Sequence, residues 1–147
     1  MMARMDVSGY DATLAGLEDM IESTPDLRDA ILEAEADVIE PALRQSLISE
    51  GLVASRRLHG SIKRRRDTVA GIPGIRIGPA GEHHRYLPSS GKSGVVTSGY
   101  VGYIGEYGIA RKGIKGREWL KKGLERSKSA AYDAADNLYN AYMDKHK

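Results

Sequence analysis

The chain has 147 residues with no cysteine, no phenylalanine, one tryptophan and eight tyrosines; it is long enough for one domain with its own core, and disulfide frameworks, thiolate nucleophiles and Cys-ligated zinc are excluded. No apolar run reaches signal-peptide or membrane-spanning length, so a soluble protein without a membrane partner is expected. Net charge is only +2, yet residues 1–50 carry 12 acids against 3 Lys or Arg and the rest 8 acids against 19, which predicts an acidic part facing a basic surface, its own or a neighbouring subunit's.

From Asp11, Leu14, Leu17, Met20 and Ile21 fall at helical intervals and predict a short amphipathic helix. Ser23 and Thr24 precede Pro25, a hydroxyl followed by a proline suited to a first turn, so a second helix is expected to start there. Leu27, Ile31, Ala34, Val38, Ala42 and Leu43 trace one of its faces and acids the other, with Asp26 and Asp29 favouring the N-terminal dipole. An interior proline costs about 3 kcal/mol or kinks a helix, so Pro41 predicts a kink or break, and Gly51 is expected to end the element.

Residues 55–66 hold six cations in twelve positions: Arg56, Arg57, Lys63, Arg64, Arg65 and Arg66. Ile75-Arg76-Ile77 alternates as a half-buried strand does, and residues 67–79 predict one or two antiparallel strands. Residues 81–94 have turn chemistry and predict a mobile loop, after which Val95, Val96 and Thr97 predict a further strand. Beyond Gly116, Leu120, Leu124, Ala131, Ala135, Leu138 and Tyr142 keep a helical register, flanked by Tyr132 and Tyr139, and predict the longest helix. These elements predict a single α+β domain over residues 1–147: N-terminal helices within an acidic part at 11–50, a small antiparallel β-sheet and loop over 67–98, and a long C-terminal helix within 99–147, packed on the sheet.

Residues 99–124 carry glycines at 99, 102, 105 and 108, three of the tyrosines and the tryptophan. Each glycine inside a helix costs about 1 kcal/mol relative to alanine, so this stretch predicts a packed turn of chain in which glycines admit another backbone. Tyr100, Tyr103 and Tyr107 suit either an exposed contact patch or core packing in a protein without phenylalanine. Glu106 among the tyrosines and Arg117 before the helix are expected to form a partly buried ion pair, against two solvated side chains.

The run Tyr103, Ile104, Gly105, Glu106, Tyr107, Gly108, followed by Arg117, Glu118, Trp119, Leu120, Lys121, Lys122, Gly123 and Leu124, resembles the tail-completion (neck, head-tail joining) minor structural proteins of long-tailed bacteriophages. That family carries an aromatic, an apolar pair, Glu, an aromatic and Gly, then Arg-Pro-Phe-Leu before an apolar helix. Upstream, Ser55, Arg56, Arg57, Leu58, His59, Gly60, Ser61 and Ile62 resemble its Thr-Gly-x-Leu-x-x-Ser-Ile stretch. Here Arg56 replaces the usual Gly, Ile109 a frequent Thr, Glu118 and Lys122 two prolines, and Trp119 the Phe. The resemblance implies a virion structural protein, present in the host cytoplasm during assembly. It would join the tail to the head connector as a ring of identical subunits contacting other neck, connector and tail proteins.

Catalytic signals are weak. Gly91-Lys92-Ser93 lacks the earlier glycine of a phosphate-binding loop, since Tyr86 stands there, and His83 and His84 beside Glu82 supply too few convergent metal ligands. Ser61 has no evident base. No catalytic residue, metal or cofactor is predicted, and the chain is not expected to be an enzyme. The alternative function is a small nucleic-acid-binding module using Arg56 to Arg66, whose competing reading is a solvated strand edge or a partner for the acidic helix.

Overall fold

Thr24 and Pro25 begin the first helix of the computed structural model, which describes residues 24–52, 56–86, 91 and 94–146. The amphipathic helix expected from Asp11 therefore lies outside the described residues. Helix α1 (Pro25–Ser49) takes its proline at the first turn, where no N–H is needed, although Thr24 makes no side-chain cap bond. Its end is a hydrogen-bonded reversal: Leu52 N donates to Leu47 O at 2.8 Å and Gly51 N to Ile48 O at 3.0 Å. Of the kink or break expected at Pro41, the break does not occur: α1 runs through it. The proline sits on the exposed side, while Ala36 before it and Leu43 and Leu47 after it are buried. Tertiary packing spans the lost hydrogen bond.

After α1 come a short helix α2 (Arg57–Gly60), strands β1 (Ile62–Val69), β2 (Ile72–Pro79), β3 (Glu82–Tyr86) and β4 (Gly94–Thr97), and helix α3 (Ser98–Tyr107). The chain then makes β5 (Gly108–Ile109), a 3-10 turn (Ala110–Lys112) and β6 (Ile114–Lys115), and finishes in α4 (Trp119–Lys145). The strands form three two-stranded antiparallel ribbons, β1-β2, β3-β4 and β5-β6. Helices with a small amount of antiparallel strand, closed by a long C-terminal helix, make this an α+β protein.

Two expectations change. Residues 82–86, expected in a loop, pair with β4, with a register irregularity between Glu82 and His84. Charged and histidine side chains hid a strand whose ladder bonds come from the backbone alone. Residues 98–107, expected as a packed turn, are a helix. Its glycines cost propensity, but they open one side of the helix to a large side chain.

The core joins Leu43 and Leu47 of α1, Leu58 of α2, Ile62 of β1, and Trp119 and Leu120 of α4, with Ile77 and Val101 against it. Helix α4 meets the strands in this core through its first turn, and its most extensive contact is with α1. Gly123 lets the two helices approach, for a Cβ there would lie 2.9 Å from Leu43 Cδ2 and 3.1 Å from Ser46 Cβ. Ser46 Oγ donates to Trp119 O at 2.5 Å, fixing the start of α4 on α1.

Alternation along β1 sends its cations to two faces. Arg64 and Arg66 turn to the acidic face of α1: Arg64 reaches Glu40 at 2.6 Å, Asp37 at 2.7 Å and Glu33 at 3.1 Å, and Arg66 reaches Asp29 at 2.9 Å and Glu33 at 3.2 Å. Glu40 first, then Asp37, holds the Arg64 guanidinium well above its usual pKa. The acidic helix thus meets basic residues of its own chain, one of the two partners that the charge asymmetry predicts.

Glu35, half-buried on the same helix, is perturbed by burial alone, which pushes its carboxyl up to about 7. The folded state then holds a proton that the unfolded chain has lost, so stability falls as pH rises from about 4.5 through about 7. Replacing Glu35 by Gln is expected to raise unfolding free energy by ~1–2 kcal/mol at pH 8, a figure discounted for partial exposure, and by little at pH 5. Urea titrations at the two pH values measure the difference.

Candidate functional site

Helix α3 divides into two unlike faces. Thr97 Oγ1 caps it by accepting from Tyr100 N at 3.2 Å. Gly102 and Gly105 are buried beneath the helix, where Trp119 lies against the backbone and donates from Nε1 to Gly102 O at 2.9 Å. A Cβ on Gly102 would meet Pro79 Cγ at 2.7 Å, and one on Gly105 would meet Trp119 Nε1 at 3.3 Å. The opposite face presents Tyr100, Tyr103 and Tyr107, each more than half exposed at 56%, 52% and 59%. Spacings of three and four residues align them in one stripe, with the Tyr103 and Tyr107 rings 4.8 Å apart.

The β5-β6 hairpin folds back across the last turn of α3. Arg117 N donates to Gly105 O at 2.8 Å and Glu118 N to Glu106 O at 3.2 Å. Glu106, buried at 6% exposure, then reaches the start of α4: its Oε2 accepts from Leu120 N at 2.7 Å and its Oε1 from Lys121 N at 3.3 Å. It acts as the N-terminal cap of the next helix, accepting from N–H groups 14 and 15 residues further along the chain, while Glu118, at the cap position itself, makes no cap bond. The expected Glu106–Arg117 pair is therefore corrected. The Arg117 guanidinium turns the other way, donating from Nη1 to Glu50 O, because unsatisfied helix N–H groups satisfy a buried carboxylate without a second charge to desolvate.

Between α3 and α4 lies an open cleft of about 620 Å³. Tyr107, Leu120 and Leu124 supply its apolar lining, and Glu106, Glu118, Lys121 and Glu125 its charged lining. Tyr107 belongs both to the stripe and to the cleft, so the two make one surface. Aromatic residues beside an apolar cleft with charged groups around it have the composition of a protein-binding surface.

The other sequence-predicted residues lie inside. Leu58, Ser61 and Ile62 are buried beside Trp119 and Leu120, so the two segments that carry the resemblance pack into one core. Ser61 Oγ is occupied as a donor to Leu58 O at 2.7 Å. Gly108 holds the turn out of α3 at φ +74. Among the cations, Arg57 donates to His83 O at 2.8 Å, Arg64 and Arg66 are held by α1, and Arg56, Lys63 and Arg65 are exposed. Sequence reasoning missed Gly116, where a Cβ would strike backbone at the end of α3; its only signal was a glycine just before a helix.

Arg56 and Glu118 adopt φ +52 and +49, left-handed backbone that favours glycine and that proline cannot reach. By fold and surface the molecule is a small α+β protein with an aromatic face. Comparison with protein-family models, curated proteins and solved structures gives no match.

Proposed function

We propose that this chain is a structural protein of a tailed bacteriophage or prophage, a tail-completion or neck protein that joins the tail to the head connector by oligomeric assembly. The observation that carries the reading is the exposed stripe Tyr100, Tyr103 and Tyr107 running into the cleft at Leu120 and Leu124. The sequence resemblance supports it independently, since Tyr103, Glu106, Tyr107, Leu120 and Leu124 belong to the matching segments. Glu106 ties the stripe-bearing helix to the long helix, so the surface is presented on a fixed frame, which lowers the entropy cost of docking. Identical copies closing around the tail axis would each offer this face to a neighbour or to the connector.

Deletion of the gene from its phage or prophage is expected to leave heads and tails unjoined in electron micrographs, with wild-type protein restoring complete particles. The double variant Tyr103→Ser, Tyr107→Ser should fail to restore them while melting at nearly the wild-type temperature, because both rings are exposed. Complete infectious particles without the gene would overturn the assignment.

A further inference from the structure

We propose that the outer face of the β1-β2 hairpin binds the phosphate backbone of duplex DNA without reading its sequence. Register places Lys63 opposite Gly78, Arg65 opposite Arg76 and Asp67 opposite Gly74 on the face turned away from α1. Lys63, Arg65 and Arg76 are all exposed. Arg76 reaches Asp67 at 2.5 Å, but Lys63 and Arg65 make no ion pair among the described residues.

Arg65 stands directly opposite Arg76, a like-charge pair that Asp67 offsets on the Arg76 side only, so Lys63 and Arg65 keep their charge for a ligand. Their neighbours Gly74 and Gly78 have nothing within 4 Å of where a Cβ would stand, so the face is open and low between the cations. Lys63 and Arg65, two residues apart on one strand, lie about 7 Å from each other. A two-stranded ribbon is also of a width that the DNA major groove admits.

The chemistry favours nucleic acid over an acidic protein. Among the described side chains, the one large apolar residue on this face is Ile72, at the hairpin tip. A protein interface draws on a buried apolar or aromatic centre, whereas phosphate contact needs charge alone. The neighbouring cations Arg64 and Arg66 do not contribute, being held by Glu33, Asp37, Glu40 and Asp29. The inference is independent of the assembly reading, since DNA binding by the purified chain and joining of particles can fail separately.

The test is fluorescence anisotropy of the full chain with a short mixed-sequence duplex across salt. Two phosphate contacts, from Lys63 and Arg65, predict a log-log slope of about −2, a roughly tenfold loss of affinity between about 50 and about 200 mM salt. The double variant Lys63→Gln, Arg65→Gln should bind roughly tenfold or more weakly and lose most of its salt dependence. Arg76→Gln, which leaves Asp67 uncompensated on the same face, should weaken binding too, and Lys145→Gln at the far end of α4 should not. Thermal melts confirm that each variant is folded. Absence of wild-type binding at low salt, an unchanged double variant, or competition by poly-glutamate equal to that by the duplex would overturn the proposal.

Discussion

Glu106→Ala is expected to destabilise the protein by about 3 kcal/mol, the effect of removing one carboxylate that closes two helix N–H groups. The bond to Leu120 N is buried and short at 2.7 Å, whereas that to Lys121 N is longer at 3.3 Å and partly buried. Alanine removes the partner of the first donor, and a buried N–H left unsatisfied costs ~1–3 kcal/mol by itself. Glu106→Gln keeps one acceptor oxygen but loses the charge and aims an amide NH2 at the helix start, so a loss of about 1–2 kcal/mol is expected. Glu118→Ala serves as the control, because that exposed side chain makes no cap bond; its effect should stay within about 0.5 kcal/mol. Urea unfolding of the three variants measures the order. Combined with Arg117→Gln, Glu106→Gln should be additive to within about 0.5 kcal/mol, since their side chains have separate partners. A larger coupling would restore the direct ion pair.

The second large effect is at Gly108. Its φ of +74 already disfavours any side chain, and a Cβ would press on Ile114 O and Gly116 N and come within 2.7 Å of Lys115 C, all backbone of the facing strand and the residue after it. No rotamer change relieves such a contact. Gly108→Ala is expected to cost roughly 4 kcal/mol or more and to leave little folded protein. Gly113, in the same hairpin at φ +66, has nothing within 4 Å of a Cβ, so Gly113→Ala should cost only the backbone strain of about 1–2 kcal/mol. Soluble yield and thermal melting compare the pair. Equal effects at the two positions would show that the close approach of the strands at Gly108 contributes nothing.

Both predictions concern the same junction, and the function proposed for the chain depends on it. Tyr107 lies one residue from each, on the exposed side of α3. Loss of the Glu106 cap would leave Trp119 as the remaining side-chain tie between the start of α4 and α3, and the cleft between them would be held less firmly. Variants at Tyr103 and Tyr107 instead leave the core alone, so stability and particle joining separate experimentally.

Much of the helical frame was legible in the sequence because its signals are local. Pro25 and Gly51 bracket α1, one by a fixed φ and the other by a positive one; the apolar spacing from Leu120 onward marks α4. Ile75-Arg76-Ile77 marked β2 because alternation and half-burial coincide there. The same sequence left the tyrosines open between core and surface. Period alone cannot say which side of a helix meets the protein when glycines occupy the inner side.

Tertiary structure decided the rest. A glycine-rich segment became a helix only because Trp119, brought from beyond a hairpin, fills the hollow at Gly102 and Gly105. Glu106 became a helix cap and not half of an ion pair because the chain returns the N–H groups of Leu120 and Lys121 to it. Arg64 and Arg66 were divided from Lys63 and Arg65 by the pleat of β1 once α1 covered one of its faces. The sequence by itself determined which segments are helical at their ends and where charge concentrates, since caps, prolines and apolar periods act within a few residues. Only the tertiary structure decided which cations are neutralised and which aromatics face solvent, because those outcomes depend on partners far away in the chain.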